Sequence, residues 1–329
     1  MIVGPLKSNI QLTAIILLVV SLFLWGSTLA FWSPATVGVN YNEHVLYHFF
    51  FENGMSVLLE QILSIVIILL GAFFVNYLAI DQEIVSKSNY LPFFFYVLFA
   101  FSSTTKNIIE PILVANLFVV PALFFLMNSY RVERALNQVF KAAFCMSIAC
   151  FFCIDYMLVF PLMFVALFVL RPFNWREVIV LIVGLMVPIY LYMCLCYLSN
   201  EPVFNLFYMI KYATIQLQKP VVSEFYVVFL LITVLLFAFT LFIYINKGFG
   251  AKVKTQKAKN ILLWMVFLCV SMMFFEQLPD MILVSAIIPL SIIIGDYIAE
   301  IKQLKIANTL LVLFVGGFMI VYFHALGII

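Results

Sequence analysis

Runs of fourteen to two dozen apolar residues recur along this chain with only short polar breaks, and that repetition narrows the possible folds more than any motif does. The runs fall at roughly 10–31, 57–80, 91–104, 109–128, 139–154, 156–170, 177–198, 225–246, 261–275, 281–299 and 307–327. About 20 apolar residues in α-helix cross the hydrocarbon core of a bilayer. Helix is favoured there because it satisfies every backbone N–H and C=O within the segment. Of the 329 residues, 66% are hydrophobic and 10% charged, where a soluble domain carries about a quarter charged residues. The composition therefore predicts an all-α fold, a polytopic transmembrane helical bundle of about 11 spans. Residues 1–329 form a single integral membrane domain in this reading. The first run, Ile10 to Phe31, is preceded by Lys7 alone. It is too long for the apolar part of a cleavable signal and reads as a first span.

Orientation follows from a short polar hinge, Arg171-Pro172-Phe173-Asn174-Trp175-Arg176-Glu177, set between two of the apolar runs. Lys and Arg concentrate in cytoplasmic loops of membrane proteins. Placing the hinge inside, with the runs alternating sides, puts fourteen of the seventeen Lys and Arg on the inner face. The exceptions are Lys106, Lys211 and Lys219. The N-terminus then lies inside and the C-terminus outside, and the expected location is the bacterial cytoplasmic (inner) membrane, with the lipid bilayer as partner. The outer loops are 32–56 and 199–223, and the basic inner loop is 247–259. Within the second outer loop, 203–217 has apolar residues at helical spacing and reads as a helix lying on the interface. A net charge of +2 and the lack of a basic cluster interleaved with loop aromatics exclude nothing by charge but suggest no nucleic-acid partner.

Residues 142–170 form one apolar stretch broken only by Asp155. A single kinked helix would invert the hinge and the basic loop, so two short helices turning near Cys153-Ile154-Asp155 are expected instead. Pro111, Pro121, Pro161, Pro188 and Pro289 fall within the runs and are expected to kink helices. All six cysteines, including the Cys150/Cys153 and Cys194/Cys196 pairs, lie in apolar segments. A disulfide framework is not expected.

The residues that could carry chemistry lie toward the outer face. If 43–52 is helical, His44, His48 and Glu52 fall at successive i, i+4 steps on one side, and two imidazoles with a carboxylate can bind a divalent metal. Glu43 and Asp155 are the candidate catalytic acids. An ionisable side chain between apolar segments is costly and normally faces a cavity or a partner. Glu52, Lys106, Lys211 and Lys219 are candidate substrate contacts, the three outer lysines suiting a phosphate. The lysines of 247–259 suit anionic lipid, and Asp296, in the last inner turn of its run, is expected to pair with Lys302.

Arg171-Pro-Phe-Asn-Trp-Arg-Glu177 with Gly184 and Pro188 resembles a family of uncharacterised polytopic inner-membrane proteins of Bacteroidota. So do Asn76-Tyr-Leu, Asn89-Tyr-Leu-Pro92 and Pro289-Leu-Ser291. That resemblance implies no activity. More faintly, the layout is similar to the GT-C glycosyltransferases, which use polyprenyl-phosphate sugars and place a catalytic acid in the first outer loop, where Glu43 stands. Paired acids and a large outer domain are missing from this chain. Several readings stay open at the level of sequence. The chain is a membrane subunit of an envelope assembly for secretion, motility or lipid and glycan export, with other membrane proteins as partners. Alternatively it is a transferase using a polyprenyl-phosphate lipid, or a transporter.

Overall fold

A computed structural model describes residues 57–85, 89–103, 110–198, 252–272 and 284–301, with single positions at 46, 233–234, 309, 312 and 315–316. Every regular element among the described residues is helical. The helices are α1 (Val57–Asp81), α2 (Leu91–Ser103), α3 (Pro111–Met127), α4 (Leu136–Phe152), α5 (Pro161–Leu170), α6 (Trp175–Leu198), α7 (Val253–Met272) and α8 (Ile287–Glu300), with a 3-10 turn, Ile154–Leu158, between α4 and α5. Leu59–Asp81 of α1 and all of α6 are long and apolar enough to cross a membrane. At 1.5 Å per residue each is about 35 Å long. Shorter apolar helices cover Leu91–Ala100, Pro111–Met127, Leu136–Phe152 and Pro161–Leu170. The count of about 11 spans, the sides of the two termini, and the outer loops 32–56 and 199–223 all involve residues outside the described ones.

The core forms where α3 lies against α1 and α4, α2 against α1 and α8, and α7 against α5 and α8. Small residues set the closest approaches. A Cβ on Gly184 of α6 would stand 2.8 Å from the Ala143 Cβ and 2.9 Å from the Phe140 carbonyl oxygen of α4. Leu185 at the same level accepts a 2.9 Å hydrogen bond from the Ser147 hydroxyl. A Cβ on Gly295 of α8 would stand 2.9 Å from the backbone nitrogen of Pro92 on α2. Helix α6 is the peripheral member: 22% of its apolar window is buried, against 50% for α1.

The apolar stretch 142–170 is broken at Cys153, as its lone acid suggested. The two halves run in opposite directions, because Arg171, after α5, reaches the backbone of Ser129 and Val132, just before α4. Three of the five prolines act differently from expectation. Pro111 and Pro161 open their helices and Pro289 is the third residue of α8. In a first turn the missing N–H is not needed and the fixed φ fits the helix. Only Pro121 and Pro188 lie in helix interiors. Helix α7 begins at Val253, so Lys254, Lys257 and Lys259 ride on its first two turns rather than in the predicted loop 247–259. Charged residues interrupt an apolar run but not a helix, since Lys, Gln and Ala are strong helix formers.

Candidate functional site

Among the described residues, each of the eight α-helices has one end in a single polar rim. Its centre is Arg171. Asn174 starts α6 by accepting the Arg176 backbone N–H at 3.2 Å, the usual role of an N-cap amide. That fixes Glu177 in the first turn, where its carboxylate meets the Arg171 guanidinium at 3.1 Å with Glu177 2% exposed. The same guanidinium donates to the carbonyls of Ser129 at 2.7 Å and Val132 at 2.5 Å. One side chain thus ties the α3–α4 connection, the end of α5 and the start of α6.

The first two turns of α7 extend the rim. Lys257 donates to the Leu170 carbonyl at 2.9 Å and lies 4.9 Å from the centre of the Tyr130 ring. Lys254 donates to the Asp81 carbonyl at 2.9 Å, and Lys252 meets the Glu83 carboxylate at 2.5 Å. Lys259 pairs with Asp296 of α8 at 2.5 Å; Lys302, the partner expected for Asp296, lies outside the described residues. Gln82 closes the ring by donating to the Asn128 side chain at 2.8 Å. Leu170 and Asp81 end α5 and α1, and Ser129 follows α3 by two residues. Cations are therefore aimed at helix C-termini, whose last carbonyls lack intrahelical donors and carry partial negative charge.

The cations are sorted by end. All nine described Lys and Arg lie at the rim or within two turns of it, together with Asp81, Glu83, Glu133, Glu177, Asp296 and Glu300, whereas Glu60, Glu110 and Asp155 lie at the far ends of α1, α3 and α4.

A second polar cluster lies within the bundle. Asn116 of α3 donates to the Val284 carbonyl at 3.1 Å and accepts from the Tyr156 hydroxyl. The Tyr156 oxygen is also 3.5 Å from the Ser285 carbonyl. Proline 289, four residues on, has no N–H to offer that carbonyl, so a side chain from another element takes its place. The Tyr96 hydroxyl faces Asn116 and would touch a Cβ at Gly71, at 2.5 Å. Tyr96, Asn116 and Tyr156 are fully buried.

Asp155 is the one predicted site residue among those described. It opens the 3-10 turn, half-buried, and its carboxylate accepts from the Cys153 thiol at 3.4 Å. Glu43, His44, His48, Glu52, Lys106, Lys211 and Lys219 lie outside the described residues. The described residues contain no group of three or more His, Cys, Asp and Glu suited to a metal, and the six cysteines form no disulfide. Sequence reading missed Asn116 and Tyr156. The available signal was a lone amide inside the run 109–128, which lipid would not tolerate unsatisfied.

Among the described residues the architecture defines a class: all-helical, with two helices long and apolar enough to cross a membrane and the described cations gathered at one end. By sequence the chain belongs to a family of unknown function (DUF6427), whose pattern covers residues 43–329. No curated protein and no solved structure matches it.

Proposed function

We propose that this protein is a multi-pass protein of the bacterial inner membrane, with the rim on the cytoplasmic side, and that it serves as a membrane subunit of a cell-envelope assembly. The observation that carries this reading is α6. Over about 36 Å it leaves Ile179, Ile182, Val183, Met186, Tyr190 and Leu191 exposed beside a buried seam on α4. An apolar face of that length is unstable in water and at home in lipid or against another membrane helix. The sorting of cations to one end supports the orientation, since Lys and Arg face the cytoplasm. Purification from the native membrane in nanodiscs, followed by mass spectrometry of everything retained, tests the reading. Stoichiometric protein partners are expected; recovery as a solitary monomer would overturn the subunit role.

Asp155 supports a second reading, a transferase acting on a polyprenyl-phosphate-linked sugar at the outer face. A half-buried carboxylate at the end away from the rim could orient a substrate, with Glu43 as the base. Lys106, Lys211 and Lys219 would hold phosphate, and His44, His48 and Glu52 a divalent metal. Glu43→Gln at normal protein level would then abolish transfer, and unchanged envelope glycans would discard this reading.

A further inference from the structure

The rim lysines of α7 are the obvious candidates for contact with anionic lipid, but each already has a partner within the molecule. Lys252 and Lys259 meet carboxylates, and Lys254 and Lys257 meet helix-end carbonyls. Four other rim cations have no acidic partner among the described residues: Arg131, Arg134, Lys141 and Arg176. All four are exposed. Three are held over aromatic rings, Arg131 over Tyr130 at 5.2 Å, Lys141 over Phe125 at 5.6 Å and Arg176 over Trp175 at 5.7 Å. Stacking on a ring face orients a cation without neutralising it.

Arg134 and Arg176 flank one guanidinium, since Arg171 meets the Glu133 carbonyl at 3.5 Å and the Glu177 carboxylate at 3.1 Å. Helices α4 and α6 rise side by side from the rim, with Ser147 bonded to Leu185. That offset of 38 positions sets Arg176 level with Gln138, between Arg134 and Lys141. Directly beside Arg176 are the exposed aromatics Phe173 and Trp175 and the foot of the uncovered α6 face. Unpaired cations, interfacial aromatics and an apolar wall in that order match the headgroup, glycerol level and acyl chains of a phospholipid.

From this we infer that the α4–α6 sector of the rim binds an anionic glycerophospholipid, its phosphate on Arg134 and Arg176 and its acyl chains along α6. The inference rests on the membrane placement proposed above. Shared phosphate chemistry leaves a free anion as the other source, and the seating against α6 favours the lipid.

The test uses the full chain in nanodiscs of equimolar phosphatidylcholine and phosphatidylglycerol, with co-isolated lipid quantified by mass spectrometry after delipidating exchange into detergent. Wild type should retain phosphatidylglycerol preferentially. Arg134→Gln with Arg176→Gln should lower that preference about fivefold per charge removed, while Lys252→Gln should leave it unchanged. Full retention by the double variant, no preference in wild type, or an equal loss in Lys252→Gln would each overturn the assignment. Release of the lipid by inorganic phosphate alone would reassign the cluster to a free anion. A protein that fails to enter nanodiscs would instead sink the membrane placement itself.

Discussion

The rim and the interior cluster meet the same difficulty, polar groups among apolar helices, in opposite ways. At the rim, full charges do the binding: Arg171 and the α7 lysines are each given a carboxylate or a set of helix-end carbonyls. Inside the bundle the groups are neutral, an amide and a phenol hydroxyl against the Val284 and Ser285 carbonyls just before α8. Charge is affordable only where water is one side chain away. Farther in, the penalty for an imperfectly matched ion grows faster than its attraction to a partner, and neutral groups carry the same joining role at lower risk. The two regions should therefore respond to substitution with different severity.

Arg171→Met should produce the largest effect. It strands the Glu177 carboxylate, 2% exposed, and leaves the Ser129 and Val132 carbonyls without their donor. Removing one partner of a buried ion pair costs about 3–5 kcal/mol. The expected result in a denaturant titration in detergent is a loss of that size, with early proteolysis in 128–135. Because the stranded charge is the main penalty, Arg171→Met with Glu177→Met should recover part of the loss. A double variant no better than the single one would mean that the carbonyl contacts, not the ion pair, hold the hinge.

In the interior, Gly71→Ala should rank next. Its new methyl would meet the Tyr96 hydroxyl at 2.5 Å, and Tyr96 is fully buried with nowhere to swing. Overpacking of this kind costs about 1–3 kcal/mol. Tyr96→Phe removes the clashing oxygen, so the pair of substitutions should be less harmful together than their sum, measured as a double-mutant cycle. Additive losses would mean that the helices separate rather than that the ring is squeezed.

Tyr156→Phe should be milder, about 1–2 kcal/mol, the cost of leaving a buried acceptor unsatisfied. It takes the donor from Asn116 while keeping the ring. Thermal unfolding in a single detergent gives the comparison with Arg171→Met. If Tyr156→Phe proves as damaging as Arg171→Met, the neutral cluster is no cheaper than the charged rim, and the contrast between the regions fails.

The helices, the polar hinge and the break at Cys153 were legible in the sequence, because each depends on residues adjacent in the chain. Apolar runs of spanning length and one acid between two of them suffice. Partnerships were not legible, because they join distant positions through packing. Glu83 and Lys252 are 169 residues apart, and Asn116 and Tyr156 are 40 apart. The start of α7 was not legible for a related reason: hydropathy reports where the apolar run begins, whereas the helix starts earlier, through lysines that find helix-end carbonyls. Of the candidate chemical residues only Asp155 falls among the described residues, as a turn-forming acid beside a thiol.

The smallest effect has the opposite sign and probes the outermost rim contact. Glu83 sits at φ 55, in the left-handed region. It ends α1 with a paired turn: its own N–H reaches the Ile80 carbonyl and the Ile84 N–H reaches that of Ala79, both at 3.0 Å. This end motif normally takes glycine, since a side chain in that conformation costs about 1–2 kcal/mol. Glycine in turn gives up about 0.5–1 kcal/mol through the freedom of the unfolded chain. Against the difference stands the pair with Lys252, which is 75% exposed, Glu83 itself being 49% exposed; ion pairs that open to water contribute little. Glu83→Gly should therefore raise stability, by up to about 1 kcal/mol, while Glu83→Ala, which keeps the strain and loses the pair, should lower it slightly. Both are read from the same denaturant titration. If Glu83→Gly falls below wild type, the Lys252 contact outweighs the backbone strain. The rim would then hold α7 to α1 by charge even where water has full access, and depth would not be what separates the two regions.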